Sequence, residues 1–429
     1  MPHPFRHRPL WRLLAALASA PAAGGDFQLS GFGTLGGAIA DQDFVYQTHI
    51  DDQGTLHRDS LLGVQLDAHL APGWGLTLQG KAAPSDHRED GWDPTLTWAF
   101  LSWRPNNDLL LRAGKLRIPL MLFSANSDVG TTFEFARLPY ELYSLSPTAD
   151  ITGASFSWSW LDGDREWILD GYLGRAHTDW RIYVRDGLPP YRQPGPSYTG
   201  VDANVGGLTL TLHEHDNDWR IGLNRAEIYP DSGGLAADYP YVAPAPGSGY
   251  YQVLPSMPGP GVHSVNPAVT DVLTFGANIA LARKFRLIGE YARRHMSEVT
   301  AGTNTDAAYL ALLRPRGRWT PYVYVAGIRS ESRALDRYDE LNANKVPTTV
   351  PGAATINASQ RLGADQVIAY DQYSWAIGSS YNLTHYAKLK AEWLHARTGR
   401  VSSFVDAPAG EDSGDREVNV FSLSLSFTF

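Results

Sequence analysis

The last nine residues of the chain, Phe421-Ser422-Leu423-Ser424-Leu425-Ser426-Phe427-Thr428-Phe429, alternate strictly between apolar side chains and Ser or Thr. A period of two puts every apolar group on one face of a strand and every hydroxyl on the other. Such a face has to be buried, either against a second sheet or against lipid by a closed barrel whose interior stays wet. The pattern returns along the whole chain. Leu62, Val64, Leu66, Ala68 and Leu70 oppose Gly63, Gln65, Asp67 and His69, and Trp167, Leu169, Gly171 and Leu173 oppose Glu166, Asp170 and Tyr172. Further on, Leu273, Phe275, Ala277, Ile279 and Leu281 oppose Thr274, Gly276 and Asn278, and Ala387, Leu389, Ala391 and Trp393 oppose Lys388, Lys390 and Glu392. Those last three charges argue against an apolar core on their side.

The connections separate sandwich from barrel. Tight turns at Ala71-Pro72-Gly73, Pro105 to Asp108, Leu161 to Asp164, His213 to Asp218, Ala282-Arg283-Lys284, Arg314 to Gly317 and Asn382 to His385 alternate with long polar loops near 41–59, 84–94, 119–150, 177–198, 230–269, 296–304, 330–367 and 397–416. One rim of short turns and one of long loops is the habit of a transmembrane barrel, and the tally is about 16 strands, an even number. Aromatics crowd the tight turns: Trp74, Trp103, Trp160, Trp167, Trp219, Phe285, Trp319, Tyr381, Tyr386 and Phe429. Amphipathic rings collect at headgroup depth, so they mark an interface girdle. The fold class expected is an all-β transmembrane antiparallel barrel with short periplasmic turns and long extracellular loops.

Composition closes off other classes. With 0 cysteines there is neither a disulfide framework nor a thiolate metal site. No uncharged apolar run is long enough for a membrane helix. The N-terminus carries Arg6, Arg8 and Arg12, then an apolar stretch from Leu13 to Ala20 and Ala20-Pro21-Ala22, the pattern of a secretory signal peptide over 1–22. Losing those three arginines takes the formal charge from -9 to about -12, which argues against nucleic acid. A single barrel domain is expected over 23–429.

Two places break the alternation. Val201, Ala203 and Val205 read outward on odd numbers, and Leu208, Leu210 and Leu212 on even ones, so a bulge is expected at Gly206-Gly207. In Leu111 to Arg117, Arg112 faces the lumen while Lys115 and Arg117 would meet lipid, where a basic group costs about 2–4 kcal/mol at the midplane. A bulge near Gly114, or a position at the outer rim, is expected there.

The connection about 119–150 is long but carries Leu120, Met121, Leu122, Phe123, Phe133, Phe135, Leu138 and Tyr140, more than a solvated loop needs, so it packs inside something. It is the third long loop. In loop order, strand patterning, the Trp98-Ala99-Phe100-Leu101 and Leu111 to Leu120 stretches and the terminal Phe429, the chain resembles the Gram-negative outer-membrane porins, and its last strand resembles their C-terminal assembly signal. The resemblance implies a third loop folded into the pore, a homotrimer in outer-membrane lipid, and the barrel-assembly machinery as partner. It implies a constriction in which Asp128, Glu134, Arg137 and Glu141 face Arg112, Lys115 and Arg117. Asp67, His69, Gln79, Lys81, Asn204, Arg220, Glu290 and Lys388 are expected to line the lumen.

Opposed acids and bases around a waist make a transverse field that favours polar solutes. The waist reads as balanced or basic while many acids sit in the loops, so weak ion discrimination is expected. His213-Glu214-His215-Asp216 lacks the helical spacing of a zinc motif and falls in a turn, so no metal and no cofactor are assigned. No nucleophile elbow or P-loop stands out. The function expected is passive diffusion of small hydrophilic solutes or ions, not an enzyme; an outer-membrane barrel enzyme of lipase type and a surface adhesin are the alternatives.

Overall fold

A computed structural model describes residues 27–146, 150–231, 233–236, 264–299, 304–343 and 346–429. The expected signal peptide lies outside the described residues. Sixteen strands form one closed barrel. They are β1 (Phe27–Ala40), β2 (Leu61–Ala71), β3 (Trp74–Pro84), β4 (Trp92–Trp103), β5 (Leu109–Arg117), β6 (Asp150–Asp162), β7 (Arg165–Val184) and β8 (Gly195–Glu214). The second half comprises β9 (Asn217–Pro230), β10 (Ala268–Ala280), β11 (Arg286–Met296), β12 (Thr305–Leu313), β13 (Trp319–Ser330), β14 (Tyr370–Asn382), β15 (Ala387–Ser402) and β16 (Glu417–Thr428). Each strand pairs antiparallel with its chain neighbour, and β16 returns to β1 in a register running from Phe32 opposite Thr428 to Ala40 opposite Val420.

That closure removes the edges, so no row of backbone donors faces lipid. It also uses glycine. A Cβ on Gly31 would lie 2.2 Å from the Phe429 ring, and one on Gly33 2.7 Å from the Phe427 ring, so the terminal aromatics lie flat across the seam. Outside, Leu29, Leu173, Leu208, Leu310 and Leu423 are each more than half exposed. An apolar face with no protein partner is what a lipid-facing wall presents. Around the turn rim, Trp74 stacks with Trp103, Trp160 with Trp167, and Trp319 leans on Tyr381 with centroids 5.5, 6.2 and 4.5 Å apart.

Both irregularities resolve differently from the expectation. The register of β8 runs unbroken through Gly206-Gly207 against β7 and β9, so there is no bulge. Val201, Ala203 and Val205 point inward and are buried in an apolar cluster that includes Leu120 and Met121 of the third long loop, beside the interior cavity. Asn204, expected in the lumen, is therefore on the outer side, near Glu227 and Tyr229. At β5, Gly114 takes φ +135 within a continuous register against β6, and the extra residue sits on the neighbouring strand, where Gln79 pairs with Trp98 and Gly80 with Leu96. The bulged residue is Thr97, fully buried, its hydroxyl donating to Gln79 Oε1 at 2.7 Å.

At the loop rim, α1 (Ser332–Asn342) and α2 (Ala353–Gln366) pack on each other, and Val45–Tyr46 pairs with Val405–Asp406. Arginines tie these loops together. Arg181 binds Asp406 and Glu89, Arg185 binds Asp365 and Asp412 at 2.5 Å each, and Arg361 reaches Asp186 at 2.9 Å.

Candidate functional site

Residues 118–146, the described part of the connection from β5 to β6 and hereafter the inner loop, lie inside the barrel. A buried loop must find partners for its backbone, and wall side chains supply them. Glu290 of β11 accepts from the Leu122 N–H at 2.7 Å, Tyr322 of β13 accepts from the Ala136 N–H at 2.9 Å, and Lys390 of β15 donates to the Phe135 carbonyl at 2.8 Å. On the other side Arg220 donates to the Met121 carbonyl at 2.8 Å. Phe135 is fully buried among Tyr309, Tyr322 and Tyr324, edge-on at 6.1, 5.2 and 5.8 Å. Such ring pairs add about 0.5–1.5 kcal/mol each beyond area burial.

Close approach finishes the seat. A Cβ on Gly130 would lie 2.2 Å from Ser426 Oγ and 2.8 Å from Thr34 Oγ1, which brings the loop against the seam of β16 and β1. The inner loop thus covers the wall from β11 round to β1. Lys388, Lys390 and Glu392 are buried beneath it: Lys388 Nζ meets Glu134 at 2.9 Å, Lys390 Nζ sits 3.9 Å above the Phe133 ring, and Glu392 accepts from Tyr322 Oη at 2.8 Å. Charges that an apolar core would reject are satisfied one by one, the two lysines from the loop and Glu392 from the tyrosines of β13.

Across the remaining gap the loop reaches the opposite wall through one carboxylate. Asp128 lies 2.9 Å from Lys81 of β3 and 2.8 Å from Arg117 of β5, and Arg117 also meets Asp150 at 2.9 Å. Burial pushes the Asp128 carboxyl up, and the two cations more than offset it, holding it below the usual carboxylate range. A second tie joins Arg137 to Asp59, whose carboxyl is likewise raised by burial and lowered further by Arg137. Between these ties and the loop rim is a cavity of about 740 Å³, lined by Thr34, Arg58, Asp59, Lys81, Asp128, Arg137, Tyr140 and Arg181 among others. Arg58 stacks over Tyr140 at 4.7 Å. The cavity offers fixed charges of both signs and aromatic faces to a polar solute.

The wall along β2, β3, β8 and β9 carries polar pairs: Thr77 donates to Asp67 at 2.7 Å, Gln79 to Gln65 at 2.8 Å, and Arg220 donates to Thr211 at 3.1 Å. Asp67, Gln79, Lys81 and Arg220 are therefore inside, with His69 exposed near the turn rim and Glu290 and Lys388 under the inner loop. Of the seven residues expected around a waist, Arg117 and Asp128 meet, Arg137 is engaged with Asp59, and Glu134 with Lys388 and Ser380. Arg112 is half-buried on the wall, its guanidinium 5.7 Å over Phe100. Two do not join them. Glu141 is buried against Gln372 at 3.1 Å, and Lys115 stands opposite Thr152 on the outward row of β5, because Gly114 leaves the register unshifted. Asp59, Asp150 and the tyrosines around Phe135 were not legible as site residues, since nothing near them in the chain marks contacts with a distant loop. His213 and Glu214 pair with Asp218 and Arg165 at the turn rim.

No protein-family model and no curated protein sequence matches the chain. Its fold is similar to solved outer-membrane proteins. The outer-membrane expressed OmpT of Vibrio cholerae superposes with a TM-score of 0.51 at 11% identity over 96% of this chain and 99% of that one. For Pseudomonas putida OprB, at high pH, the values are 0.52, 12%, 95% and 94%. For the anion-selective porin of Comamonas acidovorans they are 0.50, 11%, 94% and 100%. At such identities the likeness is one of fold.

Proposed function

We propose that the protein is an outer-membrane porin that lets small hydrophilic solutes or ions diffuse passively through the space between the inner loop and the wall of β2 to β9. The observation that carries the reading is the inner loop itself, seated on one half of a closed barrel and facing a polar wall across the Lys81–Asp128–Arg117 bridge. A narrowed wet lumen inside an apolar exterior is a conduit, and it needs no covalent chemistry. In this reading the tight turns are periplasmic, the long loops are extracellular, and residues 1–22 are removed on export. The constriction comprises Arg112, Arg117, Asp128, Glu134 and Arg137 together with Lys81.

A homotrimer is part of the proposal, supported by the trimer form in which a Vibrio cholerae OmpT is known. Ion discrimination is weak, since each acid near the waist has a basic partner. Purified protein in a planar bilayer tests the reading. Stable ohmic steps are expected, with a reversal potential far from the ideal value for either ion under a salt gradient. A silent bilayer accompanied by lipase activity or by partner binding would replace the reading with an enzyme or an adhesin.

A further inference from the structure

The outer wall carries a feature that solute passage does not use. Three glycines stand in one register row, Gly114 opposite Gly153 and Gly153 opposite Gly174. Backbones crowd there: a Cβ on Gly153 would lie 2.1 Å from the Leu173 carbonyl oxygen, and one on Gly114 2.2 Å from that of Ala99. Glycine rows of this kind let a sheet bend sharply. The outward positions beside the row are small as well, Ala154 and Gly206. An apolar notch of about 800 Å³ results on the lipid-facing side, walled by Leu111, Phe156, Leu173, Leu208 and Leu223.

Directly toward the loop rim, the next outward row reads Lys115, Thr152, Arg175 and Asn204, and then Glu227, which Asn204 engages at 3.3 Å. Among the described residues neither Lys115 nor Arg175 has a carboxylate in ion-pairing distance, whereas the outward Arg225 and Arg293 of the adjoining wall are paired with Asp271 and with Asp306 and Glu331. From the start of β7 at Arg165, a rise of about 3.3 Å per residue and a tilt of about 40° carry Arg175 about 25 Å above the turn rim, the height of the apolar band. Lys115 starts deeper, and a lysine's long stem lets its ammonium rise along an apolar wall toward the interface. One strand, β6, lies between the pair, two inter-strand spacings or about 10 Å between backbones, a span that two long side chains close around one anion.

We propose that the notch and its two cations dock one phosphorylated glycolipid of the outer leaflet, an acyl chain lying in the notch and a phosphate held between Lys115 and Arg175. The proposal rests on the outer-membrane reading above. Charge selects this occupant: an apolar slot capped by two unneutralised cations is complementary to an anionic amphiphile, and a zwitterionic lipid would leave the cations half-satisfied.

The test reconstitutes the full protein and its variants into phosphatidylcholine nanodiscs doped with bisphosphorylated lipid A, then counts retained lipid by native mass spectrometry. Wild type is expected to keep one lipid A, and Lys115→Gln with Arg175→Gln to keep about tenfold less, the loss of charge-assisted contacts. Ala154→Leu, which fills the notch and spares both cations, should lose the lipid too, and Lys115→Arg with Arg175→Lys should retain it. Equal retention by wild type and the double Gln variant overturns the proposal. So does retention abolished by inorganic phosphate alone, or a second copy cross-linked through Leu173→Cys, which would assign the notch to self-assembly. Heat-modifiable mobility reports folding for each variant. Conductance in the same preparations separates the two readings: normal steps with equal retention refute the lipid site alone, whereas a silent wild type refutes the porin.

Discussion

Replacing Asp128 by Asn removes the one carboxylate that the inner loop extends to the opposite wall, leaving Lys81 and Arg117 with reduced compensation. The change is isosteric, and the loop keeps its seat because Phe135 and the Leu122, Ala136 and Phe135 backbone bonds are untouched. A monovalent ion passing about 5 Å from that carboxyl in a water-filled gap feels about 0.8 kcal/mol, cut to about 0.5 kcal/mol by screening at 0.1 M salt. That is about a twofold gain for an anion and a twofold loss for a cation, so the permeability ratio moves about fivefold toward anions. Under a tenfold gradient the reversal potential should shift on the order of 30 mV. The effect should shrink as salt is raised and the Debye length shortens. Single-channel reversal potentials measure it directly, and Lys81→Gln, which removes the opposing charge, should shift them the other way. An unchanged potential, or a shift toward cations, would mean that permeating ions do not pass the Lys81–Asp128–Arg117 bridge, and the placement of the waist would be wrong.

Four further outcomes follow from the same geometry. Arg112→Ala should move selectivity toward cations by about two- to fivefold with the barrel intact, and an unchanged reversal potential would put Arg112 outside the ion path. Phe135→Ala empties the pocket formed by Tyr309, Tyr322 and Tyr324, costing about 3–5 kcal/mol and loosening the inner loop, so open-channel current noise and mean conductance should rise. Gly153→Ala drives a methyl into the Leu173 carbonyl, a backbone atom that cannot step aside, so the heat-modifiable folded band should fall sharply at a cost of about 3 kcal/mol or more. His49 of the first long loop is pushed down to about 4 by burial, against the opposing pull of Glu89 and with Arg58 adding to the decrease. A displaced loop would bind the proton at the ordinary value near 6.5, so the docked loop loses stability as pH falls from about 6.5 to 4, and protease cleavage there should rise over that window in wild type but not in His49→Gln.

Much of the site lay beyond sequence reading for one reason. The inner loop was recognisable from Leu120, Met121, Phe133 and Phe135, apolar groups with no business in a solvated connection. Where each would land was not, because its partners Glu290, Tyr322, Lys390 and Ser426 lie more than a hundred residues away in the chain. The inward placement of Val201, Ala203 and Val205 has the same origin. An apolar residue in a barrel strand points to lipid only if nothing inside covers it; here Leu120 and Met121 of the inner loop join Ile228 in one apolar cluster, so these three positions face in without any slip of register. Lys115 shows the converse, a charge that alternation assigns to the outward row and that stands there beside the apolar notch and in one row with Arg175.

What the sequence determined by itself was the barrel: the period of two, the phase of short turns and long loops, the girdle of tryptophans and the strand that ends at Phe429 are all local or evenly repeated, and a strand's two faces follow from its residues alone. What only the tertiary structure decided was which inward side chains see water. That depends on where one loop of some thirty residues crosses the lumen, a matter of long-range complementarity between Asp128 and Lys81, between Phe135 and three tyrosines, and between Gly130 and the seam of the first and last strands. Closing the sheet brings those partners within reach of one another, and no spacing along the chain encodes the meeting.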